Sequence, residues 1–129
     1  MIRPQADFPM LDEYKKQGFA ITDKTIFALG QDIYSDYPLS ADLMVHELVH
    51  LKQQAEVGVK EWVYDFLYTP AKRLEYELEA YKIQILSIKD RNYRTKVWLQ
   101  SAKTLSSDLY GNIISYQDAK DQLSPHKKG

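Results

Sequence analysis

His46-Glu47-Leu48-Val49-His50 sets two imidazoles four residues apart, with a carboxylate beside the first. On a helix, residues at i and i+4 carry Cβ atoms about 5–6 Å apart on one face, so both rings can reach a single metal ion. The glutamate points to the side of that pair. This is the HExxH arrangement, in which the histidines bind zinc and the glutamate is the general base that activates a zinc-bound water. The plain alternative for the same five residues is a helix with two solvated histidines and an ordinary charge.

A catalytic zinc takes three protein ligands and keeps a fourth position open. The chain has only three histidines and no cysteine, so thiolate sites and disulfides are both excluded. The remaining histidine, His126, lies in a polar tail and is a poor third ligand, which leaves a carboxylate. Glu75, Glu77 and Glu79 cluster on one predicted helix. Measured from Leu74 in the Leu74, Leu78 and Ile85 stripe, Glu77 lies about 60° away, Glu75 about 100° on the other flank and Glu79 about 140°. A ligand belongs at the core margin, so Glu77 fits best and Glu79 is its competitor. The bland reading of Glu77 is a surface pair with Arg73 or Lys72, worth a few tenths of a kcal/mol.

Other side chains carry two readings each. Arg73 and Tyr81 flank Glu77 by one turn and could donate to an oxyanion, or serve as an ion pair and a core ring. Asp42, one turn before His46, could orient that imidazole, or could simply favour the helix N-terminus. Trp62, Tyr64, Phe66 and Tyr68 wall a substrate groove or pack the core. Lys127 and Lys128 read as solvated tail.

The elements that must position these groups follow from patterning. Residues 2–18 read as an irregular lead-in with a short helix over Met10 to Lys16 ended by Gly18. Phe19 to Thr22, Thr25 to Leu29 and Asp32 to Tyr34 look like a small meander with two tight turns. Ser40 is a good N-cap for a helix from Ala41 to Val57, closed by Gly58. On that helix Ala41, Met44, Leu48, Leu51 and Ala55 share one face and predict its core stripe. His46, His50 and Gln53 fall opposite, facing an internal cleft. Val59 to Tyr68 reads as helix, Thr69-Pro70 opens another that runs to about Asp90, and two more follow near Tyr93 to Ser106 and from Ser115.

Length and composition bound the rest. The 129 residues predict one domain over residues 1–123, with a polar, disordered tail at 124–129. A net charge of −1 gives no reason to expect nucleic acid or a membrane surface as partner. No secretory signal and no apolar run of about 20 residues is present, so a cytoplasmic location is expected. Nothing in the sequence sets an oligomeric state.

HELVH with ELEAY downstream resembles the gluzincin-type zinc metallopeptidases, whose third ligand is a Glu in an E-x-E-A-D or E-x-E-A-N pattern. Matched position by position, the ligand Glu falls on Glu77, the alanine on Ala80 and the family's Asp or Asn on Tyr81, which departs from the pattern. The strand-rich stretch before HELVH and Gln53-Gln54 after it also look like small metallopeptidase-like proteins of bacteriophage and bacteria, for which virion association is an option. The resemblance implies a minimal α+β zincin-like fold, with a small N-terminal antiparallel sheet on the active-site helix and a mostly helical C-terminal half. It implies zinc held by His46, His50 and Glu77, with Glu47 as general base in peptide-bond hydrolysis and a protein or peptide as substrate. It also suggests a substrate paired with an edge strand. Two other readings remain: a zinc-stabilised structural or interaction protein without turnover, and a metal-free helical binding module.

Overall fold

The structure is a computed structural model that describes residues 1–126; Lys127, Lys128 and the end of the predicted tail lie outside the described residues. The fold is α+β and mostly helical. Three short strands, β1 (Ile2–Arg3), β2 (Phe27–Leu29) and β3 (Asp32–Tyr34), are followed by five helices: α2 (Ala41–Val57), α3 (Val59–Tyr68), α4 (Pro70–Leu86), α5 (Arg91–Leu105) and α6 (Tyr116–Leu123). A short helix, α1 (Leu11–Lys16), precedes β2. Among the described residues no helix is long and apolar enough to cross a membrane.

The sheet differs from the expected antiparallel meander. Its strand order is β1-β3-β2, with β1 parallel and β2 antiparallel to β3. Phe19 to Thr22 forms no strand. Gln5 Nε2 donates to the carbonyls of both Thr22 and Thr25, each at 2.8 Å, and so consumes acceptors that a neighbouring strand would need. The central strand turns its Ile33 and Ser35 amides toward β1, where they donate to Met1 and Arg3. By alternation, Phe27 and Leu29 hydrogen-bond β3, and Ala28 points its polar groups to the outer edge.

Local chemistry explains the helix ends. The Ser40 hydroxyl accepts from the Leu43 amide at 3.4 Å, and Gly58, at φ 99°, turns α2 straight into α3. Pro70 sits at the start of α4. That helix stops at Leu86, short of the predicted Asp90, because Asp90 instead caps α5 by accepting from the Tyr93 amide at 2.8 Å. Ser115 caps α6.

Two apolar clusters hold the elements together. One is largely aromatic: Phe8 stacks on Phe27 with ring centroids 4.2 Å apart, and Trp62 stacks on Phe66 at 5.0 Å. The other gathers Tyr81, Ile85, Ala102, Leu105, Ala119 and Leu123 from the last three helices. Helix α4 contributes to both, with Tyr76 in the first and Tyr81 and Ile85 in the second, and α2 packs against it in an orientation that corrects the sequence reading. Leu48, predicted as core, is 50% exposed, and the buried residues of α2 are Asp42, His46, Glu47, His50, Gln53 and Gln54. The helix turns its polar stripe inward.

Candidate metal centre

Helices α2 and α4 run against each other and bring His46, His50 and Glu77 together. One ligand atom from each lies within 4.8 Å of the others, and all three residues are buried. Glu77 Oε1 is 3.1 Å from His46 Nε2 and 3.2 Å from His50 Nε2. Two ligands about 2.1 Å from one ion at a tetrahedral angle stand about 3.4 Å apart, so the spacing suits a small divalent ion. Glu79, the competing carboxylate, is exposed and accepts from Gln53 Nε2 at 2.7 Å instead of joining the histidines. Glu75 is exposed, 3.7 Å from Lys72.

The back of each imidazole is held by a glutamine whose orientation its neighbours dictate. Gln53 Nε2 donates to the Tyr76 carbonyl at 3.0 Å, and its Oε1 accepts from Trp62 Nε1 at 3.0 Å. A carbonyl can only accept and an indole N–H can only donate, so the amide has one arrangement. His50 Nδ1, 2.9 Å from the same Oε1, therefore donates. Gln84 repeats the device: its Nε2 donates to Asp42 Oδ2 at 2.7 Å, and its Oε1 accepts from His46 Nδ1 at 2.9 Å. With Nδ1 carrying hydrogen on both rings, both Nε2 lone pairs face a carboxylate oxygen. Three acceptors converge there and need a cation, either a metal ion or protons.

Electrostatics agree with that demand. Burial would raise the Glu77 carboxyl, but the His50 charge and the imidazole hydrogen bonds outweigh it and hold the group down at about 2. Burial would lower the His50 imidazolium, but the Glu77 carboxylate prevails and raises it to about 9. The donor set of two imidazoles and a carboxylate suits zinc among the ions that accept such ligands. The buried group can hold a metal ion, and its own chemistry leaves the ion's identity open.

Glu47 stands apart. It is buried, lines the same cavity as the triad, and accepts no hydrogen bond from any side chain among the described residues. Burial raises its carboxyl above the ordinary range, against the pull of His46 and His50. The cavity, of about 170 Å³, is polar at the triad and aromatic elsewhere, walled by Tyr14, Phe19, Phe27, Trp62 and Phe66. Tyr81 packs its ring on His46, 4.3 Å between centroids, and its hydroxyl meets that of Tyr110 at 3.0 Å. Both phenols are pushed up by burial and so stay protonated donors.

Some sequence readings find other positions. Arg73 neither lines the cavity nor makes the expected ion pair. Its buried guanidinium donates to the carbonyls of Phe66, Leu67 and Tyr110 and lies over the Phe19 ring at 5.0 Å. The Phe66 and Leu67 carbonyls end α3, where helix acceptors lack partners, and the arginine satisfies them. Asp42 acts on His46 only through Gln84. Of the four aromatics of α3, Trp62 and Phe66 are buried at the cavity, and Tyr64 and Tyr68 face outward. Gln53 lies on the cleft side of α2 as its spacing predicts, though its hold on His50 was not read from the sequence, and Gln84 and Tyr110 escaped the sequence reading; both glutamines were detectable as polar residues in helical step with the ligands, at His50+3 and Glu77+7.

The β2 edge beside the cavity is already engaged. Gln54, buried, donates from Nε2 to the Ala28 carbonyl at 2.9 Å and accepts the Gly30 amide at 2.7 Å. Comparison with known proteins finds no family model, no curated protein and no solved structure that matches the chain.

Proposed function

We propose that the chain is a zinc-dependent peptide-bond hydrolase of minimal zincin-like form. The reading is carried by one observation: three converging acceptors demand a cation, beside a buried carboxylate that accepts no side-chain hydrogen bond among the described residues. His46, His50 and Glu77 would hold the ion; when bound, zinc supplies Lewis acidity toward the scissile carbonyl and the attacking water. Glu47, with its raised pKa, takes a proton from that water and returns it to the leaving amine as the C–N bond breaks. Of the Tyr81 and Tyr110 phenols, one donates to the other, and the remaining O–H supplies a hydrogen-bond donor on the cavity wall for the negative charge that grows on the carbonyl oxygen. Trp62, Tyr76 and Asp42 keep both imidazoles in the tautomer that binding requires.

A second reading has its own support. The ligands come from α2 and α4, so an ion there would also crosslink α2 to the helix that joins the two apolar clusters, as a structural metal does. Metal analysis of purified protein, together with peptide hydrolysis by wild type and Glu47→Gln, separates the two. The hydrolase reading expects one zinc per chain in both proteins and cleavage only by wild type. Zinc in both with no cleavage by either leaves the structural reading, and no metal in either sinks both.

A further inference from the structure

A second cavity, of about 470 Å³, adjoins the first, and Leu43 and Tyr81 line both. Its remaining walls come mainly from the start of α2 and from α5, including Asp42, Tyr93, Lys96 and Val97. We infer that this trough continues the substrate groove, and that the substrate is an extended polypeptide segment carrying an acidic residue on the α5 side of the bond to be cut. The inference rests on the hydrolase reading of the metal centre.

Three features place the substrate there. Gln54 occupies the outer edge of β2 at Ala28 and Gly30, so strand addition cannot extend toward the end of α2. The trough lies at the opposite end, beside the start of that helix, where an extended chain leaving the metal over Leu43 and Tyr81 would run. The trough also offers a fixed platform: the Tyr93 ring is exposed, yet its hydroxyl is anchored on Asp42 Oδ1 at 2.9 Å. Finally, of the trough's two charged groups only one is open to a ligand. Asp42 is engaged by Gln84 and Tyr93, whereas Lys96 is exposed and no carboxylate among the described residues pairs with it. An unpaired cation at the rim of a half-enclosed trough selects a carboxylate.

The test uses zinc-loaded Glu47→Gln protein, with and without Lys96→Glu, and fluorescence anisotropy. The probes are fluorescein-labelled decapeptides with a central leucine and three glutamates on one flank or the other, their lysine counterparts, and tetrapeptides too short to reach α5. A glutamate decapeptide should bind at least about threefold more tightly than its lysine counterpart, Lys96→Glu should reverse that order, and the tetrapeptides should not distinguish the two proteins. Equal binding of both decapeptide classes, a ranking unchanged by Lys96→Glu, or no binding at all overturns the proposal. Turnover by the wild type is scored separately. Lys96-dependent binding without turnover refutes the hydrolase and keeps the groove, and turnover indifferent to Lys96 does the reverse.

Discussion

Asp42 reaches His46 through a single intervening amide: Gln84 donates to the carboxylate at 2.7 Å and accepts from the imidazole at 2.9 Å. The carboxylate fixes which way the amide points, and the amide fixes which ring nitrogen is free for a metal. Hydrogen bonds from Gln84 and Tyr93 hold Asp42 below the ordinary carboxyl range despite its burial, so it stays charged and the arrangement persists at neutral pH. Removing the amide frees the ring. Gln84→Ala should weaken zinc binding by about 10–100-fold, the usual range for a lost orienting partner, read by competition with a chelating dye. Unchanged affinity would show that the ring is held by packing on Tyr81 instead.

The two competing glutamates make opposite forecasts. Glu77→Ala removes the shared acceptor of both Nε2 atoms and should abolish stoichiometric zinc. Glu79→Ala breaks only the contact with Gln53, which keeps its bond to the Tyr76 carbonyl, and zinc should remain. Metal analysis of the two proteins side by side decides the assignment, and loss of zinc in the second alone would reverse it.

The pH dependence of the metal-free protein has a worked sign. Glu77 falls from 4.5 to about 2, so its contribution to stability is complete above about 4.5 and lost as pH falls toward 2. His50 rises from 6.5 to about 9, so its contribution is complete below about 6.5 and lost as pH climbs through 9. Together they give greatest stability between about pH 4.5 and 6.5. Zinc requires the unprotonated imidazole, so its affinity should increase with pH up to about 9, with proton release on binding. Thermal unfolding across pH with and without zinc, and calorimetry in buffers of different ionisation enthalpy, would reveal these trends. A flat stability profile with no proton release would count against the pairing.

The rolled position of α2 is testable at one surface residue. Leu48 projects to solvent, so Leu48→Ser should change stability by no more than about 0.5 kcal/mol. A leucine in the core would cost about 2–5 kcal/mol on truncation. Urea denaturation measures the difference.

That residue also marks how far the sequence could be read. Caps and breakers were legible because they act within a few residues: Ser40, Gly58, Pro70 and Ser115 bound their helices as local chemistry requires. The spacing of His46 and His50 and the angular position of Glu77 were legible for the same reason. The roll of α2 was not, because periodicity reports which residues share a face and not which face turns inward. A polar stripe can be buried only if distant partners satisfy it, and Tyr76, Ala28 and Trp62 lie 9 to 26 residues from the glutamines they meet. Strand β1 was hidden too: two residues carry no pattern, and the partner strand lies 31 residues on.

A helix that turns Leu48 to water and leaves Met44 and Leu51 half-buried has a rival packing, the same helix rolled so that all three lie inside. That rival needs only hydrophobic contact and is open to an early collapsed chain, whereas the native roll becomes favourable only once the amide and imidazole partners are assembled. Local pattern and final fold therefore pull against each other along α2, a frustration of the folding landscape. Refolding should be slow or heterogeneous where the polar partners are missing and should speed up when an ion that recognises only the native roll is present.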